Sequence, residues 1–151
     1  MKLKNLFIAA AMLFGLFGCK PSKKNEAFKA FNEGVAFSLT AIDLFEQKAY
    51  EQSDSLNKKA INKFQETLLI DSTHSGTRSA LGHSYYLVRQ FKESINWFEK
   101  ANKIDGESAI NFRELGLSRI NLGRVPEGHQ DLQMAFELDK SQEIRSITTD
   151  D

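Results

Sequence analysis

Three histidines and one cysteine are the residues with the readiest chemistry in this chain: His74, His83, His129 and Cys19. Two imidazoles share a metal from one helix face only when they stand three or four positions apart, and these stand much farther apart. No Gly-x-Ser-x-Gly turn and no Gly-rich phosphate loop occurs, and the glycines come singly. Glu46, Glu51 and Asp54 have the spacing of solvated helix faces rather than of an acid–base pair. The 20 basic and 20 acidic residues cancel and interleave, so no stripe for nucleic acid stands out. Nothing here calls for an enzyme, a metal or a cofactor. What remains is recognition by shape, and the elements that would provide the shape have to be found.

Cys19 has a use of its own. Lys2 and Lys4 open the chain, residues 6–17 are apolar apart from Gly15, and Leu16-Phe17-Gly18-Cys19 follows. A basic start, an apolar middle and a small residue before the cut form a secretory signal. A membrane span needs about 20 apolar residues, and this run is too short. The tetrapeptide resembles the bacterial lipobox, which implies cleavage after residue 18 and a lipid on Cys19. Acyl chains at Cys19 would anchor firmly, since each buried methylene adds about 0.8 kcal/mol. The mature chain would be slightly acidic without Lys2 and Lys4, and residues 19–25 would be a lysine-rich tether. Lys20 after the cysteine, where Asp would retain the protein, resembles outer-membrane-sorted lipoproteins. The expected address is therefore the periplasmic face of a bacterial outer membrane.

Beyond the leader the chain is poor in proline, with only Pro21 and Pro126, and rich in helix formers. Displacing the sequence by 34 residues aligns Leu81-Gly82 with Leu115-Gly116, Glu93 with Glu127, and Ala101 with Ala135. Ile104-Asp105 meets Leu138-Asp139 in one direction and Ile70-Asp71 in the other, while Phe98 meets Phe64 and Ile95 meets Ile61. On this period and on Leu81-Gly82-x-x-Tyr85, Phe91, Phe98 and Ala101, residues 75–108 resemble one tetratricopeptide (TPR) unit. The resemblance implies an all-α fold, a short TPR-type solenoid of antiparallel helix pairs. Residues 109–142 are a second copy in which Arg119 replaces the usual aromatic. Gly128 there replaces a small alanine, at about 1 kcal/mol of helix propensity, so this copy is expected to be looser.

The preceding copy, residues 26–74, is irregular. Leu56, Ala60, Ile61, Phe64, Leu68 and Ile70 mark its second helix, and Gly34 is the best counterpart of Gly82. From Gly34 to Ala60 is 14 residues more than from Gly82 to Ser94, so about two extra turns on each helix would keep their facing. The expectation is a long hairpin of residues 26–50 and 53–71, turning near residues 52–55. Residues 143–151 are too few for more than one or two turns of a closing helix, so the last apolar face stays open or another chain covers it.

In the TPR family, first helices line a concave groove for peptides. The resemblance assigns Ser79, His83, Tyr86 and Leu87 to it from the middle unit, and Arg113, Leu117, Ile120 and Asn121 from the last. Phe31, Val35 and Leu39 either join it from the first unit or pack into the core. Lys and Asn on the first helices clamp a peptide carboxylate in some family members. Phe31 and Val35 at the matching positions argue against that. The implied role is a lipid-anchored adaptor in the bacterial envelope, binding another envelope protein or a mainly apolar segment. The alternative is a subunit of a permanent oligomer, a homo-oligomer included, packed through its terminal faces.

Overall fold

The computed structural model describes residues 22–148, with side chains through residue 141, so Cys19, the leader and the extreme C-terminus lie outside it. Helix α1 spans Lys23–Glu46, α2 Tyr50–Ile70, α3 Thr77–Leu87, α4 Phe91–Ile104, α5 Ala109–Asn121 and α6 Val125–Thr148. No strand occurs among the described residues. Each helix packs on its neighbours in the chain, and α1 touches α3 as α3 touches α5. The architecture is an all-α helical repeat of three hairpins, the first elongated.

The expected tether is shorter than the sequence suggested, because Ser22 starts a helix. Its hydroxyl accepts from the Asn25 N–H at 3.3 Å, an N-cap that commits Lys23 to Asn25 to α1. Ser108 does the same for α5, accepting from the Asn111 N–H at 3.1 Å.

All three hairpins turn in the same way. Three residues intervene, and the middle one is left-handed: Lys48 at φ 64°, Arg89 at φ 60° and Gly123 at φ 79°. The next N–H reaches back to close the last helical turn, Ala49 to the Leu44 carbonyl, Gln90 to Tyr85 and Arg124 to Arg119, each at 2.9 Å. The turn of the first hairpin thus lies at residues 47–49, not at the expected 52–55. Ser53 instead sits inside α2, its hydroxyl donating to the Ala41 carbonyl across the hairpin at 2.7 Å. The elongation itself is as reckoned. Glu46 ends α1 twelve residues past Gly34 while Leu87 ends α3 five past Gly82, a surplus of seven. Tyr50 opens α2 ten residues before Ala60 while Phe91 opens α4 three before Ser94, again seven. Seven residues are two turns. A polar cluster at 52–55 merely looked like a turn.

A side chain with a Cβ is strained in the left-handed region by about 1–2 kcal/mol. Lys48→Gly and Arg89→Gly are each expected to stabilise the fold by about 0.5–1 kcal/mol, the glycine's extra freedom when unfolded taking back part of the gain. A raised urea midpoint with unchanged slope is the readout.

Within the hairpins, glycines on first helices admit large side chains from second helices. A Cβ on Gly34 would lie 2.6 Å from the Phe64 ring, and one on Gly82 2.9 Å from Phe98. Phe64 and Phe98 are each 1% exposed and anchor two successive core clusters. In the third hairpin the residue 34 positions after Phe98 is the smaller Leu132. The helices come closer there: a Cβ on Gly116 would lie 2.7 Å from the Gly128 carbonyl oxygen. Gly128 is therefore a contact point of this unit and does not loosen it. Beyond it α6 runs unbroken to Thr148, so residues 143–148 lengthen the last helix and do not form a separate closing one.

Between hairpins, Ser94 and Ser118 pair their hydroxyls at 2.9 Å, and Ser118 also donates to the Glu114 carbonyl at 2.8 Å. One repeat earlier the same positions are Ala60 and Ser84, and the buried Ser84 hydroxyl has no partner. Ser118→Ala should cost about 1–2 kcal/mol, whereas Ser84→Ala should be neutral or stabilising by up to about 1 kcal/mol. Equal losses in chemical denaturation at the two sites would contradict this difference.

Candidate functional site

The first helices α1, α3 and α5 carry the residues assigned to a groove, and the structure divides them. Tyr86, Leu87 and Asn121 come together in a cleft of about 350 Å³ with Phe45, Arg89 and Phe91. Tyr86 meets Phe91 edge-on, ring centres 5.7 Å apart, which fixes the phenol at the rim. Asn121 donates its amide to the Leu117 carbonyl at 2.8 Å. Leu117 itself is 36% exposed.

Others have different employment. His83 is engaged across the repeat boundary, its Nδ1 lying 2.7 Å from Glu114 Oε2. Ile120 faces the opposite way, against Gly128 of α6, where an added Cβ would meet its Cγ1 at 2.6 Å. It belongs to the packing of the third hairpin and leaves the groove list. Ser79 is half-buried and Arg113 exposed, and neither lines the cleft. In the first unit the two open readings are decided residue by residue. Phe31 and Val35 pack on the core, Phe31 with ring centres 5.5 Å from Phe64 and 4.7 Å from His74. Leu39 is 59% exposed.

Phe45, Arg89 and Phe91 are the cleft residues that the groove assignment missed. Phe45 is 57% exposed near the tip of the long hairpin and meets Tyr50 across the turn at 5.2 Å. Placing the turn at residues 47–49 would have put Phe45 at that tip, beside the end of α3. Behind Phe45 and Leu87 lies a smaller cavity of about 110 Å³, lined also by Ala41, Ile42, Ser53 and Asn57.

The ionic contacts are structural. Arg78, 8% exposed, donates to Asp105 at 2.7 Å and to the Ser72 carbonyl, tying both ends of the middle hairpin to the preceding loop. Arg119 forks onto both Asp131 oxygens at 2.6 and 2.7 Å and reaches Glu99 at 2.6 Å, joining α5, α6 and α4. Burial pushes the Asp131 carboxyl above its ordinary range, and the Arg119 guanidinium only partly offsets this. Burial likewise raises the Tyr85 phenol, with Glu93 adding to the effect. The hydrogen bonds that the Lys63 ammonium donates to the Glu33 and Glu66 carboxylates raise its pKa to about 12. Among the described residues no three His, Cys, Asp or Glu side chains are grouped to hold a metal ion, and no helix is long and apolar enough to cross a membrane.

No family model matches the chain. Over 93 residues, 62% of its length, it is 29% identical to the human tetratricopeptide repeat protein 21A, of which it spans 7%. A solved structure of the second TPR domain of Spaghetti (RPAP3), bound to the HSP90 peptide SRMEEVD, superposes with a TM-score of 0.53. That match covers 75% of this chain and 98% of the other at 19% identity. The period of 34, the glycine-seated phenylalanines and this likeness agree on a TPR-type helical-repeat fold.

Proposed function

We propose that the chain is a lipid-anchored scaffold of the bacterial cell envelope that holds a mainly apolar segment of another protein. One observation carries the interaction part: the cleft of Phe45, Tyr86, Leu87, Arg89, Phe91 and Asn121, where three aromatic rings and a leucine converge. Exposed aromatic side chains gathered in a cleft are the usual anchors of protein recognition. The peptide held by the RPAP3 domain supports a polypeptide ligand. Clamping an acidic C-terminus is not the mode expected here, because Phe31 and Val35 are taken up by the core. The anchor rests on the leader residues and on Cys19.

Capture from membranes tests the cleft. A partner recovered with the native chain should be lost with Tyr86→Ala combined with Asn121→Ala. Equal recovery with a folded double variant would remove the cleft from the function. Cys19→Ala should move the protein from the membrane fraction to the soluble one, and retention in membranes would overturn the lipid. A second reading, a subunit of a permanent oligomer, is favoured by Met134 and Phe136, which are 43% and 60% exposed on α6. Sedimentation of the Cys19→Ala chain as a monomer over a wide concentration range would exclude self-assembly through these side chains.

A further inference from the structure

We propose that Lys23, Lys24 and Phe28, beside the loop at residues 71–75, seat the first hairpin on an anionic lipid surface and hold the scaffold upright. The proposal rests on the lipid-anchor reading and adds an orientation, which a lipid on Cys19 does not set by itself. The Ser22 hydroxyl caps α1 through the Asn25 N–H at 3.3 Å, so only three steps of chain join Cys19 to a helix. An extended residue spans at most about 3.6 Å, which holds Ser22 within about 11 Å of the anchor. A single helix is already about 10 Å across, so this interval has no room for a folded partner. The neighbour of the first turns of α1 is therefore the bilayer itself.

The side chains at this end suit that neighbour. Lys24 and Phe28 stand four apart on one face of α1 and line a cleft of about 430 Å³ with Asp71, Thr73, His74 and Ser75. Phe28 is 59% exposed, whereas Ala27 and Ala30 beside it are buried. A ring one turn from a lysine fits the headgroup layer, where the ring enters and the ammonium pairs with phosphate. Lys23, Lys24 and Lys29 make no ion pair among the described residues. Asp71, the carboxylate of the cleft, is already engaged by the Thr73 N–H at 2.9 Å and the Thr73 hydroxyl at 2.7 Å.

Charge along α1 sets the direction. Lys23, Lys24 and Lys29 lie in its first two turns with Glu26, whereas its last two turns carry Asp43 and Glu46 and no basic residue. An anionic surface attracts the first end and repels the second, so α1 stands on the membrane and does not lie along it. At 1.5 Å per residue, Phe45 is then about 33 Å above Lys23. The segment held in the Phe45 cleft is accordingly one that its owner presents at that height, not one buried in the bilayer.

The full lipidated chain, reconstituted in vesicles of phosphatidylcholine with phosphatidylglycerol, provides the test. A fluorophore is placed on Ser75→Cys, in the cleft but off the tethered helix, or on Glu46→Cys at the hairpin tip. The added thiol alone takes the label, because the lipid occupies Cys19. Lipids spin-labelled on the headgroup should quench the Ser75 probe strongly and leave the Glu46 probe bright. Lys23→Glu combined with Lys24→Glu should weaken the seat at least about tenfold and make the two probes alike. Phe28→Asp should act in the same direction, and so should vesicles of phosphatidylcholine alone or high salt. These variants replace exposed side chains, so an unchanged thermal midpoint is expected with each. Two probes quenched alike on the native chain, or quenching indifferent to the lysines, overturns the seat while the anchor stands. A Ser75 probe shielded in native membranes but not in these vesicles assigns this end to a protein and overturns the seat as well. A native chain recovered in the soluble fraction removes anchor and seat together.

Discussion

Arg119→Ala is expected to destabilise the fold by about 3–5 kcal/mol. The guanidinium is the counter-charge for Asp131, a residue 5% exposed between α5 and α6, and its loss strands that carboxylate. The contact to Glu99 contributes less, since Glu99 is half exposed. The pH dependence identifies the cause. Asp131 already has a folded-state pKa above 3.8, and without Arg119 it rises further. A carboxyl whose folded pKa is raised favours the fold in its neutral form, present at low pH and lost as pH rises through that value. The deficit of Arg119→Ala should therefore be largest at neutral pH and shrink on acidification. A double variant, Arg119→Leu with Asp131→Leu, should recover most of the loss. Urea titrations of both variants at several pH values decide the matter. A deficit independent of pH would mean that the arginine acts through packing of its stem.

Gly128→Ala should cost about 2 kcal/mol, although alanine is the better helix former by about 1 kcal/mol. The new Cβ would stand 2.6 Å from Ile120 Cγ1 and 2.7 Å from the Gly116 carbonyl oxygen. A β-branched side chain and a backbone atom of a helix cannot both yield, so α5 and α6 must part. Gly116→Ala meets the same obstacle from the other side, and combining the two should cost less than their sum, because the helices separate only once. Thermal unfolding of the two single variants and the double completes the cycle. A stabilised Gly128→Ala would show that propensity outweighs the contact.

These two residues also mark the limits of what the sequence makes legible. The period, the helix count and the elongation of the first hairpin follow from residue spacing, because a repeat writes its geometry at a fixed interval. Gly34, Gly82, Phe64 and Phe98 are readable for the same reason, each pairing a missing Cβ with a ring. Gly128 misleads because propensity is a local quantity, while its role is set by a helix approached across the hairpin. Arg119 in place of an aromatic is visible as a departure, but its remedy, Asp131, is apparent only once both helices are placed. The groove residues divide likewise. Tyr86, Leu87 and Asn121 share the end of their helices and meet. Ile120, one residue from Asn121, points to the other side of α5. Phe45 joins them only because the turn falls at residues 47–49, which a run of Ser and Asp at 53–55 concealed.

The seven-residue surplus on each helix of the first hairpin has a dynamic consequence. Seven residues fall about 20° short of two full turns, so the added lengths keep facing one another as in a coiled coil. They are held from two sides only near the end of α3, and the residues buried between them are small or polar: Ala41, Ser53 and Asn57. The hairpin tip is thus a cooperative unit of its own, with less buried apolar area than the Phe64 layer beneath it. Its amides, from residue 41 to residue 56, should exchange with solvent through local opening well before those around Phe64 and Phe98. A segment seated against Phe45 would slow that exchange, and the tip would then report occupancy as a change in its own lifetime.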